Sequence, residues 1–536
     1  MNTLFKSFFH GHYVRRLFVT LSILSVVLVE VTSFRQLYFV IVPIVLVGLM
    51  DLLQKKQAIR RNFPVIGNFR YLFESIRPEI NQYFVESNLD GRPFSRESRN
   101  VIYQRAKGVV DSVPFGTQND VYASDYEWVN HSISPKPHLY VHPRVKIGGP
   151  DCTQPYEASL FNVSAMSYGS LSKNAVLALN KGAKKGGFYH NTGEGGLSPH
   201  HLEGGGDLVW QIGTGYFGCR NQDGTFNEER FQKRATENAQ VKMIEIKLSQ
   251  GAKPGHGGIL PASKVTKEIS LIRDVPMGKD VLSPPWHTAF DSPKGLLQFI
   301  AKLRKLSGGK PVGFKLCVGK RREFMAICKA MLETGITPDF ITVDGGEGGT
   351  GAAPLEFSNS IGTPLNEALV FVHNSLVGIN LRNQIKIIAS GKVSTGLNIF
   401  SKIAMGADLC NSARGMLFSI GCIQALQCNT NKCPTGVATQ DPALVKGLVV
   451  EDKFERVARF QRATVQSFLE VLAATGLNHP SEIRPWHIQK RVSSTEVKHY
   501  GEIYHFLNPG DLLLESRPKG YGRAWSGARA DTWESF

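Results

Sequence analysis

Cysteine is scarce, eight residues in a chain of 536, and no two of them form a C-x2-C step. Zinc ribbons are built on such steps, and a disulfide framework belongs to small secreted chains, so neither is expected. Cys152, Cys219, Cys317, Cys328 and Cys410 stand singly in mostly apolar surroundings, as buried reduced thiols do, which points to a reducing compartment. Acidic residues are also outnumbered, 45 against 62 Lys and Arg, for a net charge of +17. The basic residues are scattered and do not form the stripe that a nucleic-acid surface needs. Their densest group, Lys55, Lys56, Arg60 and Arg61, adjoins an apolar segment. Anionic lipid, acidic substrates and phosphate cofactors are therefore the expected partners, and nucleic acid is not. No repeat of solenoid period occurs.

Long apolar runs are confined to the first sixty residues. Residues 17–29 and 37–53 are separated by "EVTSFRQ", each near the lower limit of the ~17 to 25 residues that a spanning helix needs. A signal peptide would have one run and a small-residue cleavage site. Arg15 and Arg16 precede the pair and Lys55, Lys56, Arg60 and Arg61 follow it, so the positive-inside bias puts both ends in the cytoplasm. A membrane hairpin over residues 1–55 results, with the body on the cytoplasmic face of the inner membrane. Glu30, Pro43 and Asp51 leave open a pair of helices lying on the bilayer instead.

Residues 56–145 read as a polar helical adaptor, with a helix start at Ser95 to Glu97. After Gly148 the texture becomes short β-branched runs that alternate with amphipathic segments of helix length. "LFNVSAMS", "MIEIKLS", "PVGFKLCV", "DFITVDGG", "IKIIASG" and "DLCNSA" are strands, and "FYHNTG", "DLVWQIG" and "DVLSP" are weaker candidates, for eight or nine in all. Such alternation means α/β with a parallel sheet, and over residues 146–420 it favours a (β/α)8 TIM barrel. Residues 421–440 form a cysteine-bearing loop, and 441–536 a C-terminal extension, helical to about Thr475.

Barrel chemistry lies at the C-terminal ends of the strands, and three groups of residues fall there. "GGEGGTGAAP", with Gly349, Thr350 and Gly351 at its centre, offers backbone N–H groups to an anion, and "ASGKVSTG" and "NSARG" follow the last two strands. Around "MIEIKLSQGAKPGHGG", Lys247, Gln250, Lys253 and the later Arg273 supply three cations and an amide, suited to a small dicarboxylic acid. Lastly, Cys422, Cys428 and Cys433 give C-x5-C-x4-C with Pro434 directly after. Zinc would need a fourth ligand, a Cys-Pro ending recurs in iron–sulfur sites, and three unrelated buried thiols remain the plain alternative.

"SAMSYGSLS", "HNTGEGG", "EIKLSQGAKPGHGG", "GGTGAAP" and "CNTNKCPTGVATQ" resemble, in order and spacing, the FMN-binding synthase domain of glutamate synthases, over about residues 145–445. The shorter large-subunit-like members are the nearest match. The resemblance implies FMN and a [3Fe-4S] cluster, with Cys422, Cys428 and Cys433 as its ligands. It implies Ala165, Met166 and Ser167 against the flavin ring, Gln211 and Lys247 near flavin and substrate, and Lys315 at the flavin N1/O2 edge. Gly391, Ser412 and Arg414 resemble the phosphate site, and Gln250, Lys253 and Arg273 the 2-oxoglutarate binders. Glu194 matches an acidic residue at the substrate and is the expected proton donor, its carboxyl raised toward neutrality by burial.

The implied reaction reduces 2-iminoglutarate, formed from 2-oxoglutarate and ammonia, to glutamate. His256 and Glu347 depart from the family's Glu and Asp. No nucleophilic cysteine precedes the barrel, so ammonia is expected from solution or a partner amidotransferase, and electrons from ferredoxin or a reductase. Alternatives are an amino or hydroxy acid dehydrogenase that passes electrons to a membrane carrier, and a non-catalytic membrane subunit.

Overall fold

A computed structural model describes residues 11–32, 35–109, 112–139 and 141–534. Residues 1–10 of the expected hairpin segment and 535–536 of the extension lie outside them. The chain forms two compact units, which divide between Arg96 and Glu97.

In the first unit, α1 (Gly11–Thr32) and α2 (Tyr38–Leu53) are antiparallel. Phe18 lies over Gly48, where a Cβ would come within 2.0 Å of its ring, and Tyr38 donates to Glu30 at 2.6 Å near the other end. Glycine at the crossing lets the helices approach closely. Among the described residues one helix, Arg35–Leu53, is long and apolar enough to cross a membrane. A short helix, Ala58–Asn62, leads to α3 (Gly67–Ile80).

The second unit is a closed barrel of eight parallel strands: β1 Phe161–Val163, β2 His190–Asn191, β3 Leu208–Ile212, β4 Val241–Lys247, β5 Val312–Leu316, β6 Phe340–Asp344, β7 Lys386–Ser390 and β8 Leu409–Ser412. Sequential neighbours pair throughout, and β8 returns to β1 with Cys410 opposite Phe161. It is the expected TIM barrel. Strands β3, β5 and β6 are buried along their whole length, as parallel strands covered by helices must be.

Of the nine strand candidates, "DVLSP" is the one outside the barrel. Val281–Leu282 pairs antiparallel with Ile259–Leu260, inside the long insertion between β4 and helix Pro293–Leu306. The hairpin Arg144–Ile147 with Tyr156–Ser159 closes the opposite end of the barrel. Its Ile147, Tyr156 and Ala158 pack on Val209, Met243, Phe340 and Leu409, all near strand starts. With that end filled, a ligand has only the C-terminal end to enter.

Two regions differ from the sequence reading. Helix ends at Lys107 in the 56–145 segment; beyond it, proline, glycine and asparagine favour turns, and the strand Glu127–Val129 pairs with Ile488–Arg491. The outer helical layer is also completed late. Helix α4 (Lys173–Gly186) and α5 (Gly396–Ala404) flank α6 (Val450–Ala474), so the eighth barrel helix lies beyond the cysteine loop, within the residues assigned to an extension. Two glycines admit it. A Cβ on Gly182 would stand 2.6 Å from Val457, and one on Gly396 2.4 Å from the Phe468 nitrogen.

Candidate active site

The strand ends carry a layer of buried polar side chains. Glu245 of β4 accepts from Asn191 (2.8 Å) and Gln211 (2.6 Å) through one oxygen and from Thr342 (2.6 Å) through the other. Acid and lysine inside an otherwise apolar parallel strand, as in "MIEIKLS", is a signal that could have singled out Glu245. One layer higher, Lys315 of β5 stands 3.3 Å from Asp344. Asp344 also accepts from the Ser390 hydroxyl at 2.9 Å and the Gly251 N–H at 2.9 Å. Burial works against the charge on Lys315, but Asp344 and Glu245 overcome it and hold its pKa above the usual lysine range.

Glu194, in the loop after β2, stands 2.7 Å from Lys247 at the end of β4, and Lys247 donates to Gln250 at 2.6 Å. Lys253 and Arg273 from the insertion also act on Glu194. Burial pushes this carboxyl up, yet the three cations together lower it to about 2. The expectation of a carboxyl raised toward neutrality is therefore corrected: Glu194 is ionised. Burial lowers the pKa values of Lys247 and Lys253 and brings Arg273 to about 10.

Arg273 donates to the Tyr168 carbonyl at 2.9 Å and lies 5.2 Å over the Phe217 ring, and its buried Nε has no partner among the described residues. Glycines make the room. A Cβ on Gly195 would meet the Arg273 guanidinium at 2.7 Å, and one on Gly213 would meet the Glu194 Cβ at 2.7 Å. His287, missed in the sequence, supports the end of β4: its Nε2 donates to the Lys247 carbonyl at 2.9 Å while Nδ1 accepts from Tyr216 at 3.0 Å. Burial keeps it neutral, with a pKa of about 4.

The other predicted residues fall into separate groups. In the loop after β1, Ala165 is half-buried, Met166 donates to the Asn191 carbonyl at 3.3 Å, and Ser167 donates to Ser170 at 3.1 Å. At the ends of β6 to β8, Arg414 donates to the Glu347 carbonyl at 2.5 Å and Ser412 to the Val393 carbonyl at 2.7 Å. Cβ atoms on Gly349 and Gly391 would press on Arg414 (2.8 Å) and Leu365 (3.2 Å) respectively. Thr350 turns back on Ala352 at 3.2 Å and Gly351 is open. The N–H groups of Gly349, Thr350 and Gly351 make no hydrogen bond among the described residues. These open donors beside a guanidinium fit a phosphate.

Cys422, Cys428 and Cys433 lie within electrostatic reach of one another. Among the described residues no three His, Cys, Asp or Glu side chains converge as ligands of a single ion do. Burial pushes Cys422 up to about 12 and also raises Cys428. For Cys433 burial is outweighed by the Thr435 hydroxyl and the N–H groups of Ala438, Thr435 and Val437, which lower it. Three sulfur donors in one loop, one of them with its thiol pKa lowered, are of the type that iron takes.

Lys264, also missed, sits beside them. It is buried, it donates to the Ser170 carbonyl at 3.0 Å and the Ala438 carbonyl at 2.9 Å, and burial lowers its pKa to about 8 against the pull of Cys428 and Cys433. It ties the loop after β1 to the cysteine loop. A lone lysine in "PASKVT" carries no periodic or motif signal that would reveal this.

A family model described as the conserved region in glutamate synthase matches residues 147–478. The glutamate synthase large subunit-like protein YerD of Bacillus subtilis is 39% identical over 508 residues, 87% of this chain and 96% of that protein. The archaeal glutamate synthase (NADPH) of Methanocaldococcus jannaschii is 37% identical over 323 residues, 60% of either chain. The archaeal-type enzyme of Thermotoga maritima is 35% identical over 322 residues, again 60% of either chain. Solved structures overlap more loosely: a flavocytochrome b2 mutant with pyruvate bound aligns at a TM-score of 0.40 and 12% identity, covering 82% of this chain and 91% of that one. With more than half its length matched by the family model and a relative of almost equal extent at 39% identity, the chain belongs to the glutamate synthase family of oxidoreductases.

Proposed function

We propose that this protein is a membrane-tethered oxidoreductase that carries FMN and an iron–sulfur cluster and reduces 2-iminoglutarate to glutamate. One observation supports the substrate class above all. Glu194 is in direct contact with Lys247, whereas the buried Lys253 and Arg273 form no ion pair among the described residues, which leaves one cation for each carboxylate of 2-oxoglutarate. Each carboxylate then has a charge-assisted partner, and the unpartnered Nε of Arg273 is available as a further donor.

Gly349, Thr350, Gly351, Gly391, Ser412 and Arg414 would hold the FMN phosphate, with Ala165, Met166, Ser167, Gln211 and Lys315 at the ring. Cys422, Cys428 and Cys433 would hold a [3Fe-4S] cluster. When bound, reduced FMN supplies a hydride and the cluster single electrons from ferredoxin or a reductase. Ammonia, from solution or a partner amidotransferase, would condense with 2-oxoglutarate with loss of water, and the protonated imine would be the species reduced at C2. Lys253 and Arg273 orient the acid. The Lys247 ammonium, its pKa lowered by burial and held beside Glu194, is placed to give a proton at Nζ.

The purified protein, supplied with dithionite or reduced ferredoxin, ammonia and 2-oxoglutarate, is expected to form glutamate; a flavin- and iron-loaded sample that forms none removes this reading. The helix Arg35–Leu53 supports a second one, oxidation of an amino or hydroxy acid with electrons passed to a membrane carrier. Bleaching of the flavin by glutamate alone would select it.

A further inference from the structure

Helix α3 carries an apolar face that no described residue of its own unit covers. Phe69, Leu72, Phe73, Ile76 and Ile80 fall at i, i+3, i+4, i+7 and i+11, one stripe of a helix, and all are exposed, Phe73 at 59%. The face continues into the π turn Asn81–Val85, where Phe84 is 85% exposed. Arg70 and Arg77, seven residues apart, border the stripe, where long side chains can run along apolar surface and keep their charge in water. Glu79 borders the stripe on its Leu72 side, and Glu74, Ser75 and Pro78 lie away from it.

The start of α3 is anchored. Asp51, buried in the last turn of α2, accepts from the Val65 N–H at 2.9 Å and the Asn68 amide at 2.5 Å. Gly67 lies so close to Ile59 and Arg60 that a Cβ would come within 2.9 Å of their backbone. The amphipathic helix therefore begins at the depth where the apolar helix Arg35–Leu53 ends, and Lys55 and Lys56, with Arg60 and Arg61 of the short helix Ala58–Asn62, lie between the two.

We propose that α3 lies in the headgroup region of the bilayer that α2 crosses, its Phe69–Ile80 face in the acyl boundary and the basic turn on anionic lipid. The proposal rests on the reading of Arg35–Leu53 as a membrane span. Charge and apolar surface combine here as an interfacial helix requires, and the position just after a spanning segment supplies the depth. The helix would then hold the protein to the membrane surface, and not only through it.

The test uses the full chain in vesicles of phosphatidylcholine with a minority of phosphatidylglycerol, with the photocrosslinking residue p-benzoylphenylalanine installed singly at Phe73, Ser75 or Leu46. Lipid adducts at Phe73 and Leu46 and their loss at Ser75 are expected. Lipid at Leu46 with only protein adducts at Phe73, whether to a second copy or to the same chain, would overturn the interfacial helix and leave the span standing. Lipid at neither Leu46 nor Phe73 would remove both.

Discussion

Glu194 shows how a single side chain is set by its neighbours. Its pKa falls from an ordinary 4.5 to about 2 on folding, so its contribution to stability is complete above pH 4.5 and is lost as the pH falls toward 2. Removing the charge with Glu194→Gln takes away the main upward influence on Lys247, which burial already lowers. The basic limb of the pH–rate profile for glutamate formation is expected to move to lower pH, and an unmoved limb would detach Lys247 from proton transfer. Arg273→Ala should raise the KM for 2-oxoglutarate by roughly 10- to 100-fold, the worth of one or two charge-assisted hydrogen bonds, as steady-state kinetics would report. Lys264 acts on the cysteine loop by charge. Lys264→Met is expected to lower the midpoint potential of the proposed cluster while Lys264→Arg keeps most of it, read by redox titration with electron paramagnetic resonance. The cations at the substrate could be read from the sequence because they follow one strand within a recurrent glycine-rich pattern. Lys264 and His287 could not, since their roles depend on which loop lands beside them after folding.

Elements are held by polar contacts that no local pattern announces. Glu347, a departure from the family's Asp, accepts from the Leu365 N–H at 3.0 Å and so satisfies one of the orphan donors at the start of helix Leu365–Gly378. Glu347→Ala should cost about 1 kcal/mol, seen as a lower Tm by calorimetry, and should loosen the loop that Arg414 holds through its carbonyl. Six barrel strands could be read at once because continuous apolar β-branched runs have no other use in an alternating α/β chain. His190–Asn191 is only two residues long and polar, and "DVLSP" has the composition of a strand yet finds its partner in the Ile259–Leu260 hairpin; period and composition do not choose between such cases. The segment after Lys107 misled for a different reason. Its strand exists through pairing with residues more than three hundred positions away.

Across the whole molecule, several histidines are buried neutral. Burial lowers His201 and His373 to about 3 and His287 to about 4. Each has a folded pKa below its unfolded 6.5, so the fold binds fewer protons than the unfolded chain and loses stability as the pH drops from 6.5 toward about 3. Tm is expected to fall steadily across that window, and a flat profile would contradict it. Barrel closure also has an order in time. Chains emerge from the ribosome N-terminus first, and α6, which seals the gap between α4 and α5, is made after Cys422, Cys428 and Cys433. Iron loaded into the proposed cluster during synthesis would meet these thiols on an unfinished cylinder, still open along one seam; loaded afterwards, it would reach them from the side on which Cys422 and Cys428 stay half-exposed.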